Sequence, residues 1–312
     1  MPAVGAAKLD EFGEETAMRM MATDETATET LARLEDAAER CETPTAGGTM
    51  TWRIWGSGPP LVVFHGGHGS WAHWVRNIEF LAQRYAVIAP DFPGYGDSDP
   101  LPGPPTAEGF AEAVSAGLDR VVPPPARYDL VGFSFGGIIG GATAVLQGDR
   151  IRTLFIIGSS GLGLPSAGII GLRKWTSDMD DDALRAVHRN NLAKIMFADP
   201  ERIDDLALHV QTRNTQRVRV KATSIPRSDA LLRALPHIKA RIVCLSGARD
   251  VYVEASLAQR QELFRAVQPS TPFRFVDGAG HWVMYEAPEA FNATLVSLLE
   301  EASAGDPAAG PT

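Results

Sequence analysis

Cysteine is scarce in this chain. Cys41 and Cys244 are the two among 312 residues, and they stand too far apart to begin a disulfide framework. No C-x-x-C pair occurs, which removes the usual zinc and dithiol redox sites. Long apolar runs are missing as well. No segment reaches the roughly 18 apolar residues that a membrane span needs, and the opening MPAVGAAKLDEFGEE turns acidic before a secretory core can form. Positive charge is in deficit, with 29 Lys and Arg against 38 Asp and Glu. The formal net charge of −9 argues against nucleic acid or an anionic membrane surface as partner, since both require a concentrated positive field. These absences predict a cytoplasmic protein that needs neither partner. A homodimer stays compatible with them.

What is present is enough apolar residue, 45% of the chain, to bury a full core. Residues 1 to about 45 are rich in Glu, Asp, Ala and Thr, and Leu31, Leu34, Ala38 and Cys41 recur at helical spacing. This predicts a loose acidic tail and one amphipathic helix, closed by Pro44 and the pair Gly47-Gly48. The segment carries no motif, so a chain starting near Thr43 is expected to keep its catalytic rate. From Met50 the texture changes to short apolar runs alternating with helix-length gaps. The runs lie at 50–54, 61–64, 85–89, 128–133, 153–158, 241–246 and 273–276, with residues 56–60 read as a hairpin turn between the first two. The pattern is that of a mostly parallel sheet flanked by helices, an α/β architecture.

One gap is longer than a crossover needs. Residues 161–236 lose strand texture and carry the helical stretches WTSDMDDDALRAVHRNNLAKIMF, DDLALHVQTRNTQRVRV and SDALLRAL. The division expected is therefore a tail and helix over 1–45, a core over 46–160 and 237–303, a helical cap over 161–236, and a flexible tail over 304–312.

The sharpest chemical signal is Gly132-Phe133-Ser134-Phe135-Gly136, between the strand YDLVGF and the apolar helix GGIIGGATAVLQ. A serine nucleophile on a strand-to-helix turn sits in strained backbone, and glycines two residues to either side let neighbouring chain approach. The hydroxyl is a weak nucleophile without a base. His281 follows a late strand and glycine turn in FRFVDGAGHW, and Asp250 ends RIVCLSGARD, at the tip of another strand. The order Ser134, Asp250, His281 is that of a nucleophile, an orienting acid and a general base. Acyl transfer also needs amide donors for an oxyanion. LVVFHGGHGSW places a glycine loop after a strand, with Gly67 as one donor and Phe135 as the other. No Lys-Ser or Lys-Thr follows that loop to make a phosphate cradle. His65, His68 and His73 are close in sequence, but shaping an oxyanion hole is the simpler role for the first two, so neither metal nor cofactor is expected.

HGGHGSWAHW, DFPGYGDSD, GFSFGG, GARD and GAGHW together resemble the α/β-hydrolase superfamily over about residues 46–300, with a cap where that superfamily inserts one. Within it, the HGG loop, the doubled glycine after the nucleophile turn and Trp282 after His281 are similar to capped meta-cleavage-product hydrolases, which split carbon-carbon bonds of vinylogous diketo acids. Phe133 before Ser134 and the short glycine loop depart from that group. The resemblance implies a cofactor-independent serine hydrolase acting on an ester, lactone or diketone. Acyl transfer or perhydrolysis by the same triad, and a non-catalytic scaffold, are the alternatives. It also implies substrate contacts at His68, Phe133 and Trp282. A cap cation for a carboxylate would come from Arg173, Lys174, Arg213, Arg217, Arg219 or Arg227, with Arg173 taken first. Trp71, Trp74 and Trp175 join Trp282 as candidates for an apolar pocket wall.

Overall fold

The computed structural model describes residues 25–165, 168–176 and 178–304. Its centre is an eight-stranded sheet of β1 (Glu39–Thr45), β2 (Gly48–Trp55), β3 (Pro60–Phe64), β4 (Ala86–Pro90), β5 (Tyr128–Phe133), β6 (Ile151–Ile157), β7 (Arg241–Gly247) and β8 (Phe273–Val276). The spatial order is β1-β2-β4-β3-β5-β6-β7-β8. β1 and β2 pair antiparallel, β2 runs antiparallel to β4, and the pairs from β4 to β8 are parallel.

Successive residues of a strand face opposite ways, so the apolar runs feed two cores. Leu61, Val63, Val131 and Leu245 pack on one face with α1 (Ala27–Asp36) and α10 (Pro288–Ala304). Val62, Phe64, Leu130 and Ile242 pack on the other with α3 (Ala107–Val121), α4 (Phe135–Gln147) and α8 (Leu257–Val267). The short α2 (Ile78–Leu81) precedes β4, and α9 (Val283–Glu286) precedes α10. Between β6 and β7 stand α5 (Asp181–Ile195), α6 (Asp205–Gln216) and α7 (Ala230–Ala234), in the stretch where the sequence lacks strand texture. No helix among the described residues is long and apolar enough to cross a membrane.

Two sequence expectations are corrected here. The helix near the N-terminus stops at Asp36, and Ala38 and Cys41 lie beyond it, Cys41 within β1. β1 buries Thr43 alone, whose hydroxyl accepts from the Trp52 indole at 2.8 Å. An edge strand with so little burial leaves no apolar alternation to read. Gly47-Gly48 is consequently a turn inside the sheet rather than its border. Residues 56–60 form no hairpin either: β4 lies between β2 and β3 in the sheet, so this loop is a crossing connection.

Residues 25–45 are integrated into the fold, so the cost of removing them falls on stability. Thr26 caps α1 in a reciprocal box with Glu29, and Leu31 and Leu34 are buried in the sheet core. Glu35 pairs with Arg53, a fully buried arginine that also meets Asp91 and Asp97.

Candidate active site

The parallel strands converge their C-terminal ends, and the sequence-selected residues lie there. β3 leads into His65-Gly66-Gly67-His68, β5 into Ser134, β7 into Asp250 and β8 into His281. Ser134 occupies φ 51°, ψ −112°, a left-handed conformation costly for any residue bearing a Cβ. The turn closes around it because Ser134 N–H donates to the Ile157 carbonyl at 2.7 Å. A Cβ on Gly136 would stand 2.6 Å from the His65 carbonyl oxygen, so helix α4 can begin this close to β3 only with glycine there.

His281 Nε2 lies 3.0 Å from Ser134 Oγ and its Nδ1 lies 2.8 Å from Asp250 Oδ2. Asp250 and His281 are buried, at 1% and 4% exposure, while Ser134 is half-open. An acceptor carboxylate at Nδ1 fixes the tautomer that leaves Nε2 free to receive the serine proton. Asp250 Oδ1 accepts from the Tyr252 amide at 2.9 Å, which fixes the second oxygen. The Tyr252 ring meets the His281 ring edge-on at 4.6 Å, and burial, aided by the Asp250 charge, pushes its phenol up to about 12. The Phe133 ring lies on the same imidazole at 4.9 Å.

The glycine loop and the start of helix α4, from which the two amide donors are expected, are neighbours. Phe135 opens helix α4, so its N–H has no carbonyl one turn earlier to bond. A Cβ built on Gly67 would lie 3.7 Å from Phe135 Cβ, which places the glycine loop against the helix start. His68, at φ 53°, is exposed at the tip of that loop.

Other sequence-selected positions are placed differently. Trp282 is fully buried, its indole donating to the His73 carbonyl at 2.9 Å and its ring packed on Tyr285 and Phe197. Phe133 is likewise sealed, at 1% exposure. Both residues support the imidazole loop and neither offers an open face to a substrate. Trp71 and Trp74 are core residues. Arg173 is exposed, its backbone held by the Asn191 side chain. Arg213 and Arg217 pair with Glu35 and Asp97, and Arg219 donates to the Gly96 and Ser98 carbonyls.

Sequence reading missed Arg260, Gly158 and Glu286. Arg260 is buried and donates to the Ser159 and Tyr252 carbonyls and to Ser256 Oγ. Burial presses its pKa down while the Asp250 charge pulls it up, so the guanidinium lends positive potential behind the acid. An arginine on a helix gives no such signal in sequence. Glu286 did leave one, as a lone acid in the apolar run WVMYEAP.

Several known proteins are similar to this chain in sequence or in fold. The chain is 28% identical over 255 residues to the dihydrolipoyllysine-residue acetyltransferase component of the acetoin cleaving system of Pseudomonas putida, covering 78% of this chain and 64% of that one, somewhat under two thirds of its length. It is 27% identical to 2-hydroxy-6-oxo-6-phenylhexa-2,4-dienoate hydrolase of Burkholderia cepacia, covering 78% of this chain and 88% of the relative. Identity to a pimeloyl-[acyl-carrier protein] methyl ester esterase of Vibrio vulnificus is 27%, over 80% of this chain and 97% of the relative. Among solved structures, a meta-cleavage product hydrolase from Pseudomonas fluorescens superposes with a TM-score of 0.69 at 22% identity, covering 84% of this chain and 98% of that one. The family model for alpha/beta hydrolases matches residues 61–294, so the chain is a hydrolase that belongs to the alpha/beta hydrolase family.

Proposed function

We propose that the protein is a serine hydrolase of small, neutral carboxylic esters or lactones, working through Ser134, His281 and Asp250. The observation that carries this reading is the continuous relay from Ser134 Oγ to His281 Nε2 at 3.0 Å and from His281 Nδ1 to Asp250 at 2.8 Å. In the reaction proposed, Ser134 Oγ attacks the acyl carbon as its proton passes to His281 Nε2. The oxyanion accepts from the Gly67 and Phe135 amides. Asp250 steadies the imidazolium, which then protonates the leaving alkoxide, and water deacylates the serine by the same steps in reverse.

A neutral substrate is preferred because three of the six cations weighed from the sequence of residues 161–236 are engaged with the core and the other three are exposed. Arg213, Arg217 and Arg219 tie the cap to the core, and Arg173, Lys174 and Arg227 are exposed to water. A diketo acid would need its carboxylate paired beneath the cap, since an unpaired buried anion is costly. Carbon-carbon bond hydrolysis is the second reading, favoured by the Burkholderia cepacia relative at 27% identity. Both cysteines are free thiols, which suits a reducing cytoplasm.

The test is labelling and turnover. A fluorophosphonate is expected to modify Ser134 stoichiometrically, and Ser134→Ala to abolish labelling and lower turnover about 10⁴- to 10⁶-fold. Aryl esters and lactones should be turned over in preference to diketo acids. Labelling elsewhere, or full activity without the serine, overturns the triad, and preference for diketo acids turns the reading to carbon-carbon cleavage.

A further inference from the structure

Glu286 is a carboxylate buried to 4% exposure at the end of the short helix α9, five residues beyond His281. It accepts three backbone N–H groups and, among the described residues, no side-chain donor: Gly280 at 2.6 Å and Ala198 at 3.0 Å on Oε2, and Asp199 at 2.8 Å on Oε1. Gly280 immediately precedes His281, whereas Ala198 and Asp199 belong to the turn after helix α5 of the cap. Three charge-assisted bonds satisfy an anion that would otherwise be costly to bury, and they demand a carboxylate.

The other side of the imidazole is tied to the same turn. Trp282 N–H donates to the Met196 carbonyl at 2.8 Å, and Arg202 donates to the Glu286 carbonyl at 2.9 Å. The loop fits so closely that a Cβ on Gly280 would stand 2.6 Å from the Ala198 nitrogen. Residues 280 and 282 are thus both fastened to residues 196–199, and His281 hangs between the two fastenings. We infer that Glu286 is a positioning residue that seats the His281 imidazole by sewing its loop to the cap turn, so that cap placement and base placement are one mechanical unit.

Were Glu286 only a source of fold stability, its loss would lower the melting temperature and leave the folded enzyme's chemistry intact. The inference rests on Ser134 and His281 acting together, so the readout is chosen to separate the two. Glu286→Gln keeps the shape but replaces one acceptor oxygen by an amide NH₂, setting donor against donor. Well below its melting temperature, this variant is expected to label with fluorophosphonate roughly 10²-fold more slowly, to lose kcat by a similar factor with little change in KM, and to broaden the downfield proton signal of His281 Nδ1–H. Gly280→Ala forces the same seam apart from the other side. Its effect and that of Glu286→Gln should be non-additive in the double variant.

Wild-type labelling rate in folded Glu286→Gln, with the His281 signal unchanged, overturns the inference and leaves the serine-hydrolase reading standing. No labelling of the wild-type protein overturns that reading first. Should neither variant fold, hydrogen exchange of the wild-type protein decides: the amides of Ala198, Asp199 and Gly280 are expected to exchange slowly and together, and fast exchange at Ala198 and Asp199 beside a protected Gly280 overturns the seam.

Discussion

Gly158 shows how tightly Asp250 is held. It follows β6 at φ 58°, and a Cβ there would stand 2.5 Å from Asp250 Oδ2 and 3.0 Å from His281 Nδ1. Any larger residue must displace the bond that orients the imidazole. Gly158→Ala is therefore expected to lower kcat by about 10²-fold through misalignment, and to cost about 1 to 2 kcal/mol of stability through its left-handed backbone. The check is paired: kinetics on a folded sample and a denaturant titration. An alanine variant of unaltered kcat would mean that the Asp250 carboxylate has room to move. Neither Gly158 nor Arg260 announces itself in the sequence, because Gly158 makes room for residues reached only across the sheet and Arg260 reads as an ordinary helix arginine. Ser134, Asp250 and His281 are different. Each ends a readable apolar run and brings its own local glycine pattern, so strand ends and chain order suffice to select them.

At the scale of elements, helix α1 serves as a strap between the sheet and the cap. Leu31 and Leu34 enter the same core cluster as Leu208 and Val210 of α6. The Trp55 indole donates to the Leu34 carbonyl at 2.7 Å, and Glu35 stands between Arg53 of β2 and Arg213 of α6. Deleting the chain up to Thr43 strips this strap and half of β1. Exposing the surface that the two leucines cover costs about 3 to 6 kcal/mol, and buried Arg53 loses one of its three carboxylates. A protein starting at Thr43 is expected to show a urea midpoint far below that of the full chain, and an unchanged midpoint would refute the strap. Strands β3 to β7 were legible because both faces are buried and their side chains read as continuous hydrophobic runs, while β2 and the more exposed β8 were read as short apolar runs bounded by turn residues. β1 was not, since its one buried side chain is a threonine. The fate of the cap arginines was hidden for another reason. Arg213, Arg217 and Arg219 are polar helix-face residues in sequence, and their partners Glu35, Asp97, Gly96 and Ser98 lie about a hundred residues or more away.

The whole molecule carries a pH sensitivity separate from His281 of the proposed triad. His65 is fully buried with Nδ1 at 2.7 Å from the Gly66 carbonyl and Nε2 at 3.0 Å from the Phe92 amide. A carbonyl at one nitrogen and an N–H at the other accept only the neutral ring protonated on Nδ1. Burial accordingly pushes its pKa down to about 4, with Asp91 pulling weakly the other way. His73, whose Nδ1 accepts from the Gly66 amide at 3.1 Å, is depressed in the same direction by burial and by the neighbouring histidines. In the unfolded chain these rings titrate near 6.5. Between pH 6.5 and 4 the unfolded state thus binds more protons than the folded one, and stability falls with falling pH. It is fully present above about 6.5, and His65 alone accounts for a loss of about 3 kcal/mol by pH 4. Urea unfolding at steps from pH 7.5 to 4 measures the slope. His65→Gln lowers stability throughout by disturbing the loop but removes one titrating group, so its curve should be flatter over that interval. Parallel curves for the two proteins would show that His65 takes up its proton as readily in the folded state as in the unfolded one, contrary to the bond that its Nε2 accepts from Phe92.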